Sequence, residues 1–252
     1  MIATTGYWKI PCRQNYNHDK YLQRMKHSTL FKCDYMVFGD DSTIRHITNC
    51  RSKMDYQTHD RYMDFDILVR ICEVEFQCPN IIERLSQTSL HRNTRYGTTH
   101  VPSVQLLLVW LSKILLVKQT IIQKPNYLIY GWLDAGYKGG CLVQHEFPIN
   151  HQDLSLVNGM YIRTDRKAGH PQWWGQSPYQ QQPIGGCWYG DKETINEFIQ
   201  HCIDIIRDRL QKGLTLATEQ DVYGLALSKM DRKKIHEAQP NSYSAFMIRD
   251  CS

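Results

Sequence analysis

The sequence predicts a single α/β domain, and three of its features carry that prediction. Two continuous apolar runs, Tyr35 to Phe38 and Tyr127 to Leu133, each close on a loop containing Gly and Asp, the pattern of buried parallel strands. Apolar segments of helical period, one starting at Val104 and one at Lys192, are interspersed with these runs. At 252 residues the chain is long enough to bury a substantial core without staples.

Taken in chain order, Ile2 to Trp8 reads as a first strand, and the polar stretch Arg13 to Lys20 after Pro11 as the start of a helix. Tyr35 to Phe38 ends at Gly39-Asp40-Asp41, a polar loop at the carboxyl end of a strand, where open α/β sheets bind ligands. Asp55 to Asp66 reads as a solvated loop, because Asp60, Asp64 and Asp66 lack the glycine and spacing of a calcium loop. Val104 to Val117 is so broadly apolar that it predicts a largely buried helix, in which Lys113 either snorkels to solvent or faces a ligand. Tyr127 to Leu133 is the strongest strand and delivers Asp134-Ala135-Gly136 to its carboxyl end. From Lys138 to Pro183 the composition turns to Gly, Gln, Pro, His and aromatic residues, a long loop-rich excursion of the kind that usually serves function. Gly185-Gly186 reads as a sharp turn before a helix from Lys192 to Leu210, which Gly213 stops. A last helix starts at Thr218 as N-cap, with Asp221 as its N3 partner.

Composition narrows the classes. Hydrophobic residues at 42% and charged residues at 22% match ordinary globular usage, which sets aside disordered, collagen-like and coiled-coil readings. A net charge of +5 with scattered basic residues is compatible with a phosphate-bearing ligand and lacks the clustered basic face of a duplex binder. Nine cysteines without a CxxC pair point to buried free thiols in a reducing compartment, not to a disulfide framework or structural zinc. The first residues lack the regions of a secretory signal, and Val104 to Val117 is interrupted by Lys113 and short for a membrane span. A cytoplasmic protein is expected, with peripheral membrane contact left open.

Three places carry chemistry. Asp134, leaving a buried strand, is either a turn cap or a hard oxygen ligand for a divalent cation holding a diphosphate. Gly185-Gly186 is either a plain tight turn or a place where backbone approaches a ligand. Glu219, at a helix start, either complements the helix dipole or faces sugar hydroxyls and charge developing at an anomeric carbon. No P-loop and no glycine fingerprint follow the first strand, which argues against a phosphotransferase or nucleotide hydrolase.

A family resemblance ties these places together. The segments Val101 to Leu106, Trp110 to Ile114, Tyr127 to Trp132 and Leu133 to Gly136, with Thr5 to Lys9 and Tyr35 to Asp40, resemble the HtrL/YibB family of glycosyltransferase-like proteins. The later half, through Gly185 to Gly190, the helix bearing Glu193, and Thr218-Glu219-Gln220, is similar to retaining GT-A glycosyltransferases that make blood-group-type linkages. The resemblance implies one GT-A-like domain over residues 1–252, a Rossmann-like mixed sheet flanked by helices. Residues 1–136 would form its nucleotide-binding half and 137–252 its acceptor-side half.

It further implies transfer of a sugar from a nucleoside-diphosphate sugar to a carbohydrate or glycoconjugate acceptor. Thr4, Thr5, Gly6 and Tyr7 would line the nucleotide pocket with Asp40 nearby, and Lys113 would approach the diphosphate or ribose. Such folds usually carry Asp-x-Asp at the strand end to hold Mn2+ or Mg2+. Here Asp134, Ala135 and Gly136 stand in those positions, so the second aspartate is a glycine. The cation would be held by Asp134, with His236 as a further candidate ligand, or be absent. Gly185 and Gly186 would shape the donor and acceptor cleft, and Trp173, Trp174 and Trp188 would offer flat faces to a sugar. Glu219 would lie beneath the transferred sugar as nucleophile or stabiliser, and Asp221 would serve as base in an inverting enzyme. The alternative is an inactive relative that binds nucleotide sugars or glycans without turnover.

Overall fold

The computed structural model describes residues 1–10, 18–28, 31, 33–88, 103–135, 157–165, 182–214, 216 and 218–238. Four of its strands are parallel: β1 (Ile2–Tyr7), β2 (Asp34–Gly39), β3 (Thr58–Tyr62) and β4 (Ile129–Leu133). Three more, β5 (Met160–Asp165), β6 (Gln182–Asp191) and β7 (Ile235–Ala238), extend the same sheet, whose order is β3-β2-β1-β4-β6-β5-β7. β6 runs antiparallel to both of its neighbours, and β7 lies parallel to β5. The two expected halves therefore share one sheet, joined where β4 meets β6.

Helices α1 (His18–Ser28) and α2 (Asp41–Arg51) lie on one face of this sheet. The other face carries α3 (Phe65–Glu75), α4 (Ile81–Thr88), α5 (Val104–Gln123), α6 (Lys192–Gln211) and α7 (Glu219–Leu227). Strand alternation sorts the side chains between the two cores. Ala3, Tyr35, Val37 and Leu133 go to the first, and Ile2, Met36, Phe38, Tyr130 and Trp132 to the second. α5 is the one helix among the described residues long and apolar enough to cross a membrane. It lies in the second core, with Leu107, Leu108, Leu111, Ile114 and Leu115 all buried. Its Thr120 hydroxyl accepts a 2.8 Å hydrogen bond from Thr4 of β1 and donates to the Leu116 carbonyl, so no hydroxyl is stranded at that crossing.

Three sequence expectations change here. The loop Asp55 to Asp66 contains the edge strand β3, and Asp64 caps α3 by accepting from Ile67 N at 2.8 Å. An edge strand with one wet side has no apolar run to announce it. Within the loop-rich stretch after Lys138, residues 160–165 form β5, and the glycine pair lies inside β6 instead of in a turn. The register between β5 and β6 shifts beyond Ile162–Trp188, so the glycines occupy an irregularity of the strand. The described cysteines are free thiols, four of them buried, as expected. Burial pushes the Cys33 thiol up to about 12, which leaves it inert at neutral pH.

Candidate active site

The sheet steps from β1 through β2 to β3 in one direction, and β4 lies on the other side of β1. The carboxyl ends of β1 and β4 thus flank the switch point, where an open α/β sheet forms its ligand crevice. Asp134 is the first residue beyond β4. Its backbone N–H donates to the Gly186 carbonyl at 2.8 Å, which ties the end of β4 to the glycine pair of β6. Alternation places the Asp134 side chain on the same face as Trp132, toward α5.

There Asp134 meets Lys113. The ammonium of Lys113, 3% exposed, lies 2.8 Å from Asp134 Oδ1 and 2.9 Å from Glu219 Oε1. Its third hydrogen bond goes to the Gly185 carbonyl at 3.2 Å, so all three N–H donors are used. Burial works against the charged ammonium, but the two carboxylates outweigh it and hold Lys113 above the ordinary lysine range. Lys113 therefore neither snorkels to solvent nor reaches for a ligand; it is the internal cation joining the strand-end carboxylate to the start of α7.

Glu219 is the first residue of α7 and only 5% exposed. A side chain at Gly185 would occupy the space of the Glu219 carboxylate, so the glycine is the slot that admits it. Asp134 Oδ1 also accepts from the Trp132 indole N–H at 2.6 Å. Among the described residues, the other oxygens, Asp134 Oδ2 and Glu219 Oε2, have no hydrogen bond or ion pair, and Asp134 is about a third exposed. Within that set, each carboxylate has one oxygen committed to the ammonium and one without a partner. On the same face of α7, one turn after Glu219, the Tyr223 hydroxyl lies against the Trp188 indole N–H without a well-formed hydrogen bond. Burial, with the nearby Glu219 charge adding to it, raises Tyr223 well above its usual value.

The remaining expected residues fall into three groups. Gly185, Gly186, Lys113, Asp134 and Glu219 come together as described, and Ala135 is buried beside them in the first core. Thr4 and Thr5 are buried in β1, Thr4 turned into the α5 face. Gly6 packs against the Trp8 ring, and Tyr7, at the carboxyl end of β1, stacks on Tyr21 at 4.7 Å and bonds His18 Nδ1 at 2.7 Å. Asp40 is the N-cap of α2, and its carboxylate accepts from Thr43 N and the Ser42 hydroxyl.

Three residues lie away from the cluster. Trp188 is fully buried between Phe198 and Tyr223, so it is a core residue and offers no face to a sugar. Asp221 stands two residues after Glu219, which rotates its side chain about 200° around the helix, away from the cluster. It accepts from the Thr218 backbone N–H, its N3 partner as expected, while the Thr218 hydroxyl makes no cap bond. His236 pairs across the sheet with Tyr161, then Tyr189, then Gly131, three strand spacings or about 14 Å from β4. It stacks on Tyr161 at 4.4 Å, in the ladder that packs on the other face of the sheet, and its Nε2–H donates to the Asn158 carbonyl at 2.8 Å. It therefore cannot share a cation with Asp134. Gly136, Trp173 and Trp174 lie outside the described residues.

Among the described residues, the donor set does not fit a resident divalent cation. No group of three or more His, Cys, Asp or Glu side chains among the described residues could hold a metal ion. The strand-end carboxylate already faces an ammonium at 2.8 Å. A dication about 5 Å from that ammonium would meet a repulsion of ~7 kcal/mol at an effective dielectric of about 20.

Sequence reading missed Trp132 as the donor that orients Asp134, although the i, i+2 spacing of a strand places the two on one face. No protein-family model matches the chain, and no curated protein matches it, so the HtrL/YibB resemblance has no family match behind it. The fold is similar to that of mouse xyloside xylosyltransferase 1 in its apo crystal structure. The TM-score is 0.53 at 10% identity, over 94% of this chain and 85% of that chain. At that identity the likeness speaks for architecture alone, and it agrees with the mixed sheet and its switch-point crevice. The chain has a glycosyltransferase-like fold.

Proposed function

We propose that this protein transfers a sugar from a nucleoside-diphosphate sugar to a carbohydrate or glycoconjugate acceptor. The observation that carries the reading is the Lys113–Asp134–Glu219 cluster, which places two half-free carboxylates at the crevice of a glycosyltransferase-like sheet. The nucleotide would occupy the carboxyl ends of β1 and β4, bordered by Tyr7 and Asp134. The transferred sugar would lie over Gly185 and Gly186, whose lack of side chains lets it approach the backbone.

In this arrangement Glu219 is a fixed carboxylate, anchored through Oε1 and presenting Oε2. Positive charge developing at the anomeric carbon is stabilised by such a preorganised group without reorganisation at the moment of reaction. That role favours retention of configuration, because Asp221, the base an inverting reaction would use, faces away. Positioning of donor and acceptor supplies much of the remaining acceleration.

A second reading, an inactive protein that binds nucleotide sugars, is favoured by Gly136 standing where the second aspartate is usual. Calorimetric titration with UDP, GDP and CMP, each with and without manganese, separates the readings together with a turnover assay on the sugar-linked form of whichever nucleotide binds. Micromolar binding of one nucleotide, lost in Asp134→Ala, is expected, and turnover lost in Glu219→Gln identifies the transferase. Absence of binding to all three in folded protein would sink both readings.

A further inference from the structure

The cluster at the strand end holds two carboxylates and one ammonium, a net charge of −1. An Mg2+ or Mn2+ ion shared with a diphosphate is bound through one or two carboxylates, and an ammonium already held between them repels a second cation brought to their remaining oxygens. Both carboxylates here already face such an ammonium. Asp134 gives Oδ1 to both Lys113 Nζ and the Trp132 indole, and Glu219 gives Oε1 to the same ammonium. Lys113 is not a surface side chain that can swing aside, since it is 3% exposed and its third donor is held by the Gly185 carbonyl. Leaving that place would strand a buried charge and two acceptors.

We propose that Lys113 is the resident cation of this site, occupying the place a divalent ion would take, and that the crevice binds its diphosphate ligand without a metal. Lys113 acts as a positioning residue. It holds Asp134 and Glu219 at a fixed separation about one ammonium, and its donors are saturated by protein oxygens, so the diphosphate is received by other groups. The inference rests on reading the crevice as a diphosphate-sugar site, but its main test needs no donor.

The test is Mn2+ binding by the full chain, followed by electron paramagnetic resonance of free Mn2+, for wild type, Asp134→Asn, Lys113→Gln and the double variant. Wild type is expected to hold no Mn2+ that depends on Asp134. Lys113→Gln leaves two facing carboxylates without a cation and is expected to bind Mn2+ at least about tenfold more tightly, a gain that Asp134→Asn abolishes. Mn2+ held by wild type and released by Asp134→Asn overturns the proposal, as does a folded Lys113→Gln protein with no gain. Mn2+ that survives Asp134→Asn lies elsewhere and agrees with it. Should Lys113→Gln fail to fold, the wild type and Asp134→Asn pair still decides. Nucleotide affinity of EDTA-treated protein that rises more than about tenfold on adding manganese also overturns it. A protein that binds no nucleotide removes the transferase reading and leaves the manganese result standing.

Discussion

The parallel part of the sheet, β3-β2-β1-β4, and the mixed part, β6-β5-β7, reach the crevice in different ways. The parallel strands simply end there, and their carboxyl-terminal residues Tyr7 and Asp134 are delivered by the direction of the chain. The mixed part offers no strand end at that point. It contributes an irregularity in β6, where Gly185 and Gly186 lie, and the start of α7, where Glu219 lies. Lys113, from a helix that packs under β1 and β4, joins the two parts through one ammonium. Neither part holds the site alone, and the bond between them is electrostatic, centred on a buried ammonium.

Removal of that ammonium is expected to have the largest effect on the fold. Lys113→Met leaves the buried Glu219 carboxylate without its cation, facing the partly exposed Asp134, and is expected to cost ~3–5 kcal/mol of unfolding free energy. Lys212→Met, at an exposed i, i+4 pair with Asp208, is expected to cost under ~0.5 kcal/mol. Urea unfolding of both variants checks the contrast, and equal losses would mean the seam is no more than surface electrostatics.

A smaller effect is expected from Gly185→Ala. The added methyl group meets the Glu219 carboxylate, which Lys113 does not let move away. Overpacking of that kind costs ~1–3 kcal/mol. The same substitution in a Glu219→Ala background has room for the methyl and is expected to cost markedly less. A double-mutant cycle by urea unfolding reads the difference directly. Additive losses would separate the glycine from Glu219 and give it a role in the backbone of β6 alone.

The smallest effect concerns Asp221, which belongs to the seam's periphery. Burial raises its carboxyl to about 7, against the partial opposition of Arg209 and the Thr218 N–H. Between an unfolded value of about 3.9 and that folded value, the native state holds a proton that the unfolded chain releases. Stability from this group is therefore present at low pH and lost as pH rises from about 4 to about 7. Asp221→Asn removes the penalty while keeping an acceptor for Thr218. It is expected to gain on the order of 1–2 kcal/mol over wild type at pH 8 and little near pH 4, by unfolding at the two values. A gain that does not change with pH would mean the carboxyl is wet.

Much of the parallel part was legible beforehand. Tyr35 to Phe38 and Ile129 to Leu133 lie in strands buried on both faces, and such burial calls for uninterrupted apolar runs, while Ile2 to Tyr7 carries a β-prone run with two buried threonines. Helices α5 and α6 announced themselves by period, and Asp134 followed from the strand that carries it. β3 and β7 escaped because each lies at an edge, where one side is wet and the run is short or polar. Along the chain the glycine pair reads equally as a tight turn or as a close backbone approach, because paired glycines serve both, and only the neighbouring Glu219 tells them apart.

The α/β class, the central strand ending in Asp134, the buried helix bearing Lys113 and the helix start bearing Glu219 are all legible in local pattern. That these three side chains share one ion cluster, that Trp188 is a core residue, and that Asp221 and His236 face elsewhere depends on long-range packing. The reason is range. Period, capping and burial are local patterns along the chain, whereas Lys113 and Glu219 are 106 residues apart and meet only because β4 and β6 pair across the seam and α5 and α7 pack on one face.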